Sequence, residues 1–373
     1  MTEAEPPTME LRTLADARSR IDALDTEIQR MISERARVAQ RVRDIKAESG
    51  DTTDHYRPAR EAEVLRRAKE RNRELGGPLA DEVMARIMRE VMSACLALET
   101  PLAVSYLGPE GTYTQAAVYK HFGHQVAAQA ASAIDEIFRD VESGSAMYGV
   151  VPIENSTEGV VTSTLDALAQ TPLSICGEVW LPVHHQLLSK QQDSSGIEVV
   201  YSHPQSFAQC RRWLDVKLPG VPREPMPSNG AAARRAADQA NSAAIASAAA
   251  GELYGLRTLA SNIEDDPNNT TRFLIIGRQN PEATSADRTS IVCSAPQGGE
   301  AGALFRLLEP FARGNINLSK IESRPSRRAV WDYNFFVDIE GHQSDAAVAA
   351  ALDELRGRAG FFKILGSYPR AVI

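Results

Sequence analysis

Seven apolar residues, Ile21, Leu24, Ile28, Met31, Val38, Val42 and Ile45, recur at steps of three, four or seven, and no glycine interrupts the chain before Gly50. That period places all seven on one stripe of an α-helix. The stripe is too apolar to face water along its length, so it needs a partner surface. A second helix is expected from Pro58, since proline fits a first turn, to Leu75, where Gly76-Gly77-Pro78 breaks it. A third fits Leu79 to Leu98, and Pro101 marks a boundary. Residues 10–100 therefore form an all-helical unit.

Written as heptads, Ile21, Ile28 and Val42 share one column, and Leu24, Met31, Val38 and Ile45 share the other. Arg35 falls in the first column, where an apolar residue belongs. A charge on a buried seam is costly unless paired. Either the guanidinium snorkels to water, or it waits for an anion. Lys46, eleven residues on, lies about 20° around the helix and about 16 Å along it, so two long side chains can converge on one ligand. Arg18 lies roughly 25 Å before Arg35 and reaches that ligand only from a second chain.

"RSRIDALDTEIQRMISERARVAQRVRDIK" followed by "YRPAREAEVL" resembles the helical chorismate mutase family, in which an intertwined dimer lends one arginine across the two-fold. The resemblance implies Arg18 as the donated arginine, Arg35 as the carboxylate clamp and Lys46 at the ether oxygen of chorismate. Arg60 and Glu61 match the pair at the start of the second helix, with Glu61 on the ring hydroxyl. Near the end of the third helix, Cys95 and Glu99 stand where the family often has serine and glutamine. Arg57 stands where it often has aspartate. These residue types suit a dianion that rearranges without a covalent intermediate, by conformer selection and charge stabilisation. Charge-assisted bonds of about 1.5–3 kcal/mol each suffice for such a reaction.

From 102 to 280 the rhythm changes. Short apolar strands, "LAVSYLG", "YGVVPI", "IEVVYS", "SAAIA" and "RFLIIG", alternate with helical stretches, the α/β pattern with a parallel sheet. Polar loops follow most of these strands, where open α/β sheets bind ligands. "GPEGTYTQAA" offers glycines for a turn and Thr112 or Thr114 to cap a helix; a plain capped turn and an anion site are both open. Among the histidines, His203 is a candidate acid, His121 and His124 form HxxH on a helix without a third metal ligand, and His184-His185 read as structural on a strand.

Taken together, "GPEGTYTQAA", "VVPIENSTEG", "SHPQSFAQCRRWL", "NSAAIAS" and "NNTTRFLIIG" resemble the prephenate dehydratase family, a two-lobed, periplasmic-binding-protein-like α/β fold that closes around its substrate. The resemblance implies Thr271 as the catalytic threonine and Arg272 as a neighbouring polar anchor. Glu154, Asn155 and Ser156 would line the opposite wall, with Thr112 and Gln205 as further substrate ligands. Loss of CO2 and the ring hydroxyl together needs a hydrogen-bond donor at the leaving group and partners for the carboxylates.

After the polar stretch "NPEATSADR", residues 287–373 read as β-α-β-β-α-β, the ferredoxin-like order. "GALFRLLEPF" and "IESRPSR" resemble the phenylalanine-binding motifs of ACT regulatory domains, with Phe305 where valine is common. Gly302, Ala303, Leu304, Glu322 and Ser323 are the candidate allosteric contacts for L-phenylalanine. The plainer alternative is that Gly302 merely starts a helix and Pro325 ends a strand.

The three units fit 373 residues and 43% hydrophobic content. A net charge of −8 argues against a nucleic-acid binder. No apolar run spans a bilayer, "MTEAEPPTME" lacks the apolar core of a signal peptide, and four scattered cysteines suit a reduced, cytoplasmic setting. The expectation is a bifunctional chorismate mutase and prephenate dehydratase, a homodimer or larger. It would take chorismate and prephenate as substrates and phenylalanine as inhibitor, and need no cofactor and no metal ion. The rivals are an arogenate-using dehydratase and a two-lobed amino-acid sensor without chemistry.

Overall fold

The computed structural model describes residues 12–49, 56–296, 301–326 and 332–373. The amino-terminal decapeptide, and Arg327 at the end of IESRPSR, lie outside the described residues. The helical unit comprises α1 (Leu14–Ser49), α2 (Pro58–Glu74) and α3 (Asp81–Ala97). At 1.5 Å per residue α1 is about 54 Å long. It buries none of its residues, and all seven of its striped apolar side chains are exposed. The hairpin of α2 and α3 closes on Leu65, Ala85 and Met92.

A first lobe follows, with β1 (Ala103–Leu107), α4 (Tyr113–Phe122), β2 (Ala127–Ala131), α5 (Ile134–Ser143), β3 (Tyr148–Asn155), β4 (Gly159–Val160), α6 (Thr162–Gln170) and β5 (Ser174–Pro182). The second lobe holds β6 (Gln186–Ser189), β7 (Val199–Ser202), α7 (Pro204–Gln209), α8 (Arg211–Lys217), β8 (Arg223–Pro225), α9 (Asn229–Asp238), β9 (Ser242–Ala246), α10 (Ala248–Leu253) and β10 (Arg257–Ala260). The chain then returns to the first lobe as β11 (Thr270–Gly277). The first sheet runs β2-β1-β3-β11-β5 and the second β10-β6-β9-β7-β8. The parallel sheet expected from the α/β rhythm is only half correct: β11 lies antiparallel to both β3 and β5. It comes back from the other lobe instead of through a helical crossover, which is the connection that enforces parallel pairing.

The last unit is β12 (Asp287–Ser294), α11 (Ala303–Arg313), β13 (Leu318–Pro325), β14 (Tyr333–Glu340), α12 (Ala346–Arg358) and β15 (Phe361–Pro369). Its sheet order is β13-β14-β12-β15, the ferredoxin-like arrangement the sequence implies, with both helices on one face over Ile291, Phe311 and Leu352. The other face shares a core with the first lobe: Val292, Phe336, Leu365 and Tyr368 pack with Ile175, Leu274 and Ile276. The approach is close enough to need a glycine, because a Cβ at Gly366 would collide with the backbone of Ile175.

Candidate active sites

Between the lobes lies a cleft of about 760 Å³, lined by Thr112, Asn155 and Thr271 from one side and His203, Gln205 and Arg234 from the other. The first turn of α4, capped by Thr112 Oγ1 accepting from Gln115 N (3.4 Å), faces it. So does the first turn of α9, capped by Ser228 Oγ accepting from Ala231 N (3.0 Å). Helix amino termini from opposite walls favour a ligand carrying more than one negative charge.

At the cleft base, Asn155 Nδ2 donates to Thr271 Oγ1 at 2.8 Å and to Asn269 Oδ1 at 2.8 Å. The amide orientation follows from its other end, since Asn155 Oδ1 accepts from the backbone N–H of Thr157 (3.0 Å) and of Glu158 (3.1 Å). Thr271 Oγ1 is therefore an acceptor toward Asn155. Its own proton is left to point elsewhere, and the residue borders the cleft.

Thr112, Asn155, Gln205 and Thr271 thus come together. Arg272, Glu154 and Ser156 do not. They line a separate cavity of about 300 Å³ on the other side of the strands, with Arg288, Lys320 and Asp338 of the last unit. Neighbours on a strand face opposite ways, so the side that presents Thr271 and Asn155 to the cleft turns Arg272 and Glu154 away from it. The sequence reading of Arg272 as an anchor inside the cleft, and of Glu154 and Ser156 as its wall, is corrected accordingly.

His203 is half-buried on the cleft wall, and burial lowers its pKa below the ordinary histidine range, so it is neutral near pH 7. His184 and His185 lie between β5 and β6, not on a strand. His185 is buried and held between Tyr113 (Nδ1, 3.0 Å) and Gln209 (Nε2, 2.7 Å). The HxxH pair is not on one helix either, because α4 ends at Phe122. His121 meets the Tyr56 hydroxyl at 2.8 Å, and His124 meets Glu90 at 2.8 Å. Arg234, Ser228 and Gln209 escaped the sequence reading. The Ser-Asn-Gly ahead of α9 was a legible capping signal; Arg234 and Gln209 carried none.

In the helical unit, Glu61 opens α2 and is ion-paired with Arg89 of α3, both largely shielded from solvent. Burial raises the Glu61 pKa above the usual carboxylate range, against the pull of Arg89 and Arg35. Arg35 therefore stands near Glu61. Cys95 is buried on α3, while Lys46 and Glu99 are half-buried near the ends of α1 and α3. The Arg43 guanidinium donates to Leu98 O at 3.0 Å and fixes those ends together. Arg18 is exposed. Arg60 points to solvent, 3.6 Å from Glu63, and not into the space beside Glu61.

Arg89→Met would leave a buried carboxylate with only Arg35 nearby. Breaking a buried pair costs about 3–5 kcal/mol, so a urea titration followed by circular dichroism should show the helical unit unfolding at markedly lower denaturant. An unchanged midpoint would mean that Arg35 alone compensates Glu61.

In the last unit, Gly302 adopts φ +77° at the start of α11, a conformation that favours glycine. Leu304 and Phe305 are exposed beside it. Glu322 and Ser323 sit on β13, an edge strand of the sheet. Among the described residues, no helix is long and apolar enough to cross a membrane.

Comparison with known proteins gives three matches in chain order. The family model described as chorismate mutase type II covers residues 17–100, that for prephenate dehydratase covers 104–281, and that for the ACT domain covers 297–357. A bifunctional chorismate mutase/prephenate dehydratase of Stutzerimonas stutzeri is 50% identical over 95% of this chain and 97% of its own. One from Aquifex aeolicus is 41% identical over 97% and 99%. The crystal structure of an Arthrobacter aurescens prephenate dehydratase in complex with L-Phe covers 72% of this chain and 90% of its own, at 36% identity and a TM-score of 0.68.

Proposed function

The chain belongs to the family of bifunctional chorismate mutase/prephenate dehydratases, an enzyme with both activities, and from that premise we propose how its residues divide the work. The helical unit rearranges chorismate. Arg35 clamps a carboxylate, Lys46 and Glu99 meet the ether oxygen, and Glu61 receives the ring hydroxyl. Arg18 arrives from a second copy, whose α1 covers the exposed apolar stripe, making a homodimer or larger assembly. Arg60 joins from solvent when substrate binds, and Cys95 forms the floor.

The two-lobed unit converts prephenate to phenylpyruvate. Thr271, fixed by Asn155, donates its proton or a hydrogen bond to the ring hydroxyl as it departs with CO2. The helix amino termini and Arg234 hold the carboxylates, with Thr112 and Gln205 beside them. Restored aromaticity supplies much of the driving force, so orientation and one good donor are what the protein adds. The observation that carries this reading is the Asn155–Thr271 hydrogen bond at the cleft base. L-Phenylalanine, the ligand of the Arthrobacter structure, would bind against Gly302, Ala303, Leu304, Glu322 and Ser323 and inhibit. A cytoplasmic location fits the four buried, free cysteines.

The test compares prephenate and arogenate as substrates of the full chain. Prephenate should have the higher kcat/KM and give phenylpyruvate; a preference for arogenate would reassign the second activity, and turnover of neither would favour a sensor. A second outcome concerns pH. Glu99 can donate to an ether oxygen only when protonated. The mutase rate should therefore fall as pH rises, and Glu99→Gln should flatten the profile. A wild-type rate that climbs above neutrality contradicts this role.

A further inference from the structure

The strand carrying the catalytic threonine is held from behind by the regulatory sheet. Thr271 borders the cleft, while Arg272, next in sequence, is 3% exposed on the opposite face. Its guanidinium donates to Glu178 Oε2 of β5 (2.8 Å), to Asp338 Oδ2 of β14 (2.5 Å) and to the Tyr368 hydroxyl of β15 (2.9 Å). Ser290 of β12 continues the network, donating to Asp338 Oδ1 at 2.5 Å and meeting the Tyr368 hydroxyl at 2.7 Å. Arg288 of β12 closes on Glu178. One arginine thus ties β11 to β5 and to two strands of the regulatory sheet, with a third strand joined through Ser290.

Asn155 repeats the arrangement. Its neighbour Glu154 faces away from the cleft and pairs with Lys320 of β13 at 2.6 Å. Farther along β13, Arg324 grips both carboxylate oxygens of Asp166 on α6 at 3.1 Å. Glu322 and Ser323, the candidate phenylalanine contacts, lie between these two tethers. The Arg272 network is buried, with the Arg272 and Glu178 side chains 4% and 1% exposed, although Arg272, Arg288 and Asp338 border the cavity between the sheets. The Lys320–Glu154 pair is more open, with side chains 15% and 35% exposed, and it borders the cavity of about 300 Å³ between the sheets. That cavity gives it room to move.

We propose that Arg272 and Glu154 are positioning residues of the dehydratase, which set Thr271 and Asn155 from behind, and that Lys320–Glu154 is the contact through which ligand at β13 alters that setting. The Arg272 network is the fixed anchor. A shift of β13 releases or redirects Glu154, and Asn155 turns with its neighbour, so Thr271 loses the partner that orients its proton. An effector moves an equilibrium only by contacts that differ between two states, and an ion pair beside a void is such a contact.

The proposal rests on the phenylalanine reading above, and two independent arms test it. In the first, Arg272→Lys keeps the charge but cannot span Glu178, Asp338 and Tyr368 together. The dehydratase kcat should fall by about 100-fold, the scale of a small misplacement of a reacting group, with KM for prephenate little changed. Mutase activity in the same sample reports folding. A raised KM with kcat intact would make Arg272 a substrate ligand and overturn its positioning role.

In the second arm, Lys320→Met is assayed with L-phenylalanine, alongside calorimetric titration of the amino acid. Dehydratase activity without effector should fall, because the freed Glu154 no longer sets Asn155 and Thr271, and phenylalanine should still bind. Saturating phenylalanine should then lower the remaining activity by a factor several-fold smaller than in the wild type, since the contact that carries the coupling is gone. Undiminished inhibition, or lost binding, would overturn the coupling. A wild-type enzyme indifferent to phenylalanine would instead sink the regulatory reading and leave the Arg272 arm standing.

Discussion

Thr271→Ala should leave the enzyme forming prephenate from chorismate at the wild-type rate while phenylpyruvate production falls by about 100- to 1,000-fold, the scale of one lost transition-state donor. The size follows from the local geometry. Asn155 Nδ2 already donates to Thr271 Oγ1, so the threonine is oriented as a donor toward the cleft. Alanine removes that donor and leaves the Asn155 amide one partner short. Thr271→Ser keeps the hydroxyl and should recover most of the rate. Asn155→Ala should lower kcat more than it changes KM, because it disturbs the direction of the proton and not the carboxylate contacts. If Thr271→Ala keeps more than a tenth of wild-type dehydratase activity, another group at the cleft handles the leaving hydroxyl, and neutral His203 is the first to examine.

Arg35→Ala should do the reverse. A charge-assisted contact of about 1.5–3 kcal/mol lost from the transition state lowers mutase kcat/KM between roughly tenfold and 100-fold, and prephenate added directly should still be dehydrated normally. Arg35 also lowers the pKa of Glu61, so its removal leaves that carboxylate more readily protonated and weakens the hydroxyl acceptor as well. The acidic side of the mutase profile should therefore suffer most. Loss of both activities from either mutant, in protein that remains folded, would mean that the two sites are not independent.

The three-unit plan was legible because each unit has its own rhythm: a 3-4 stripe, alternating strands and helices, and a β-α-β-β-α-β tail. The cleft was legible from capping residues, since Thr112 and the strand-end motifs stand where loops converge. The errors have particular causes. The family resemblance implies Arg272 beside Thr271 as a substrate anchor, although adjacent strand residues cannot share a face; the strand period itself contains the correction. Arg89 sits four residues after buried Ala85 and three before buried Met92. It is a charge on an apolar stripe, the same signal that drew attention to Arg35. The antiparallel return of β11 depends on a pairing across the whole second lobe, and no local pattern encodes that. The shared core of β15 and β5 was equally hidden, because a sheet with one face on its helices gives no sign of what covers the other.

The exposed stripe on α1 and the buried ion network behind β11 represent two ways of joining units. The stripe offers apolar area without a partner in the single chain, which suits assembly with a second copy. The network offers direction: its hydrogen bonds fix both distance and angle, so it holds β11 in register with the sheet of the last unit.

The most direct test of the account is a time course of the purified full chain with chorismate alone, following prephenate and phenylpyruvate in the presence and absence of L-phenylalanine. The account predicts that phenylpyruvate accumulates after a prephenate phase and that phenylalanine slows its formation. Prephenate that accumulates without conversion, or phenylpyruvate that forms at the same rate at saturating phenylalanine, would contradict it.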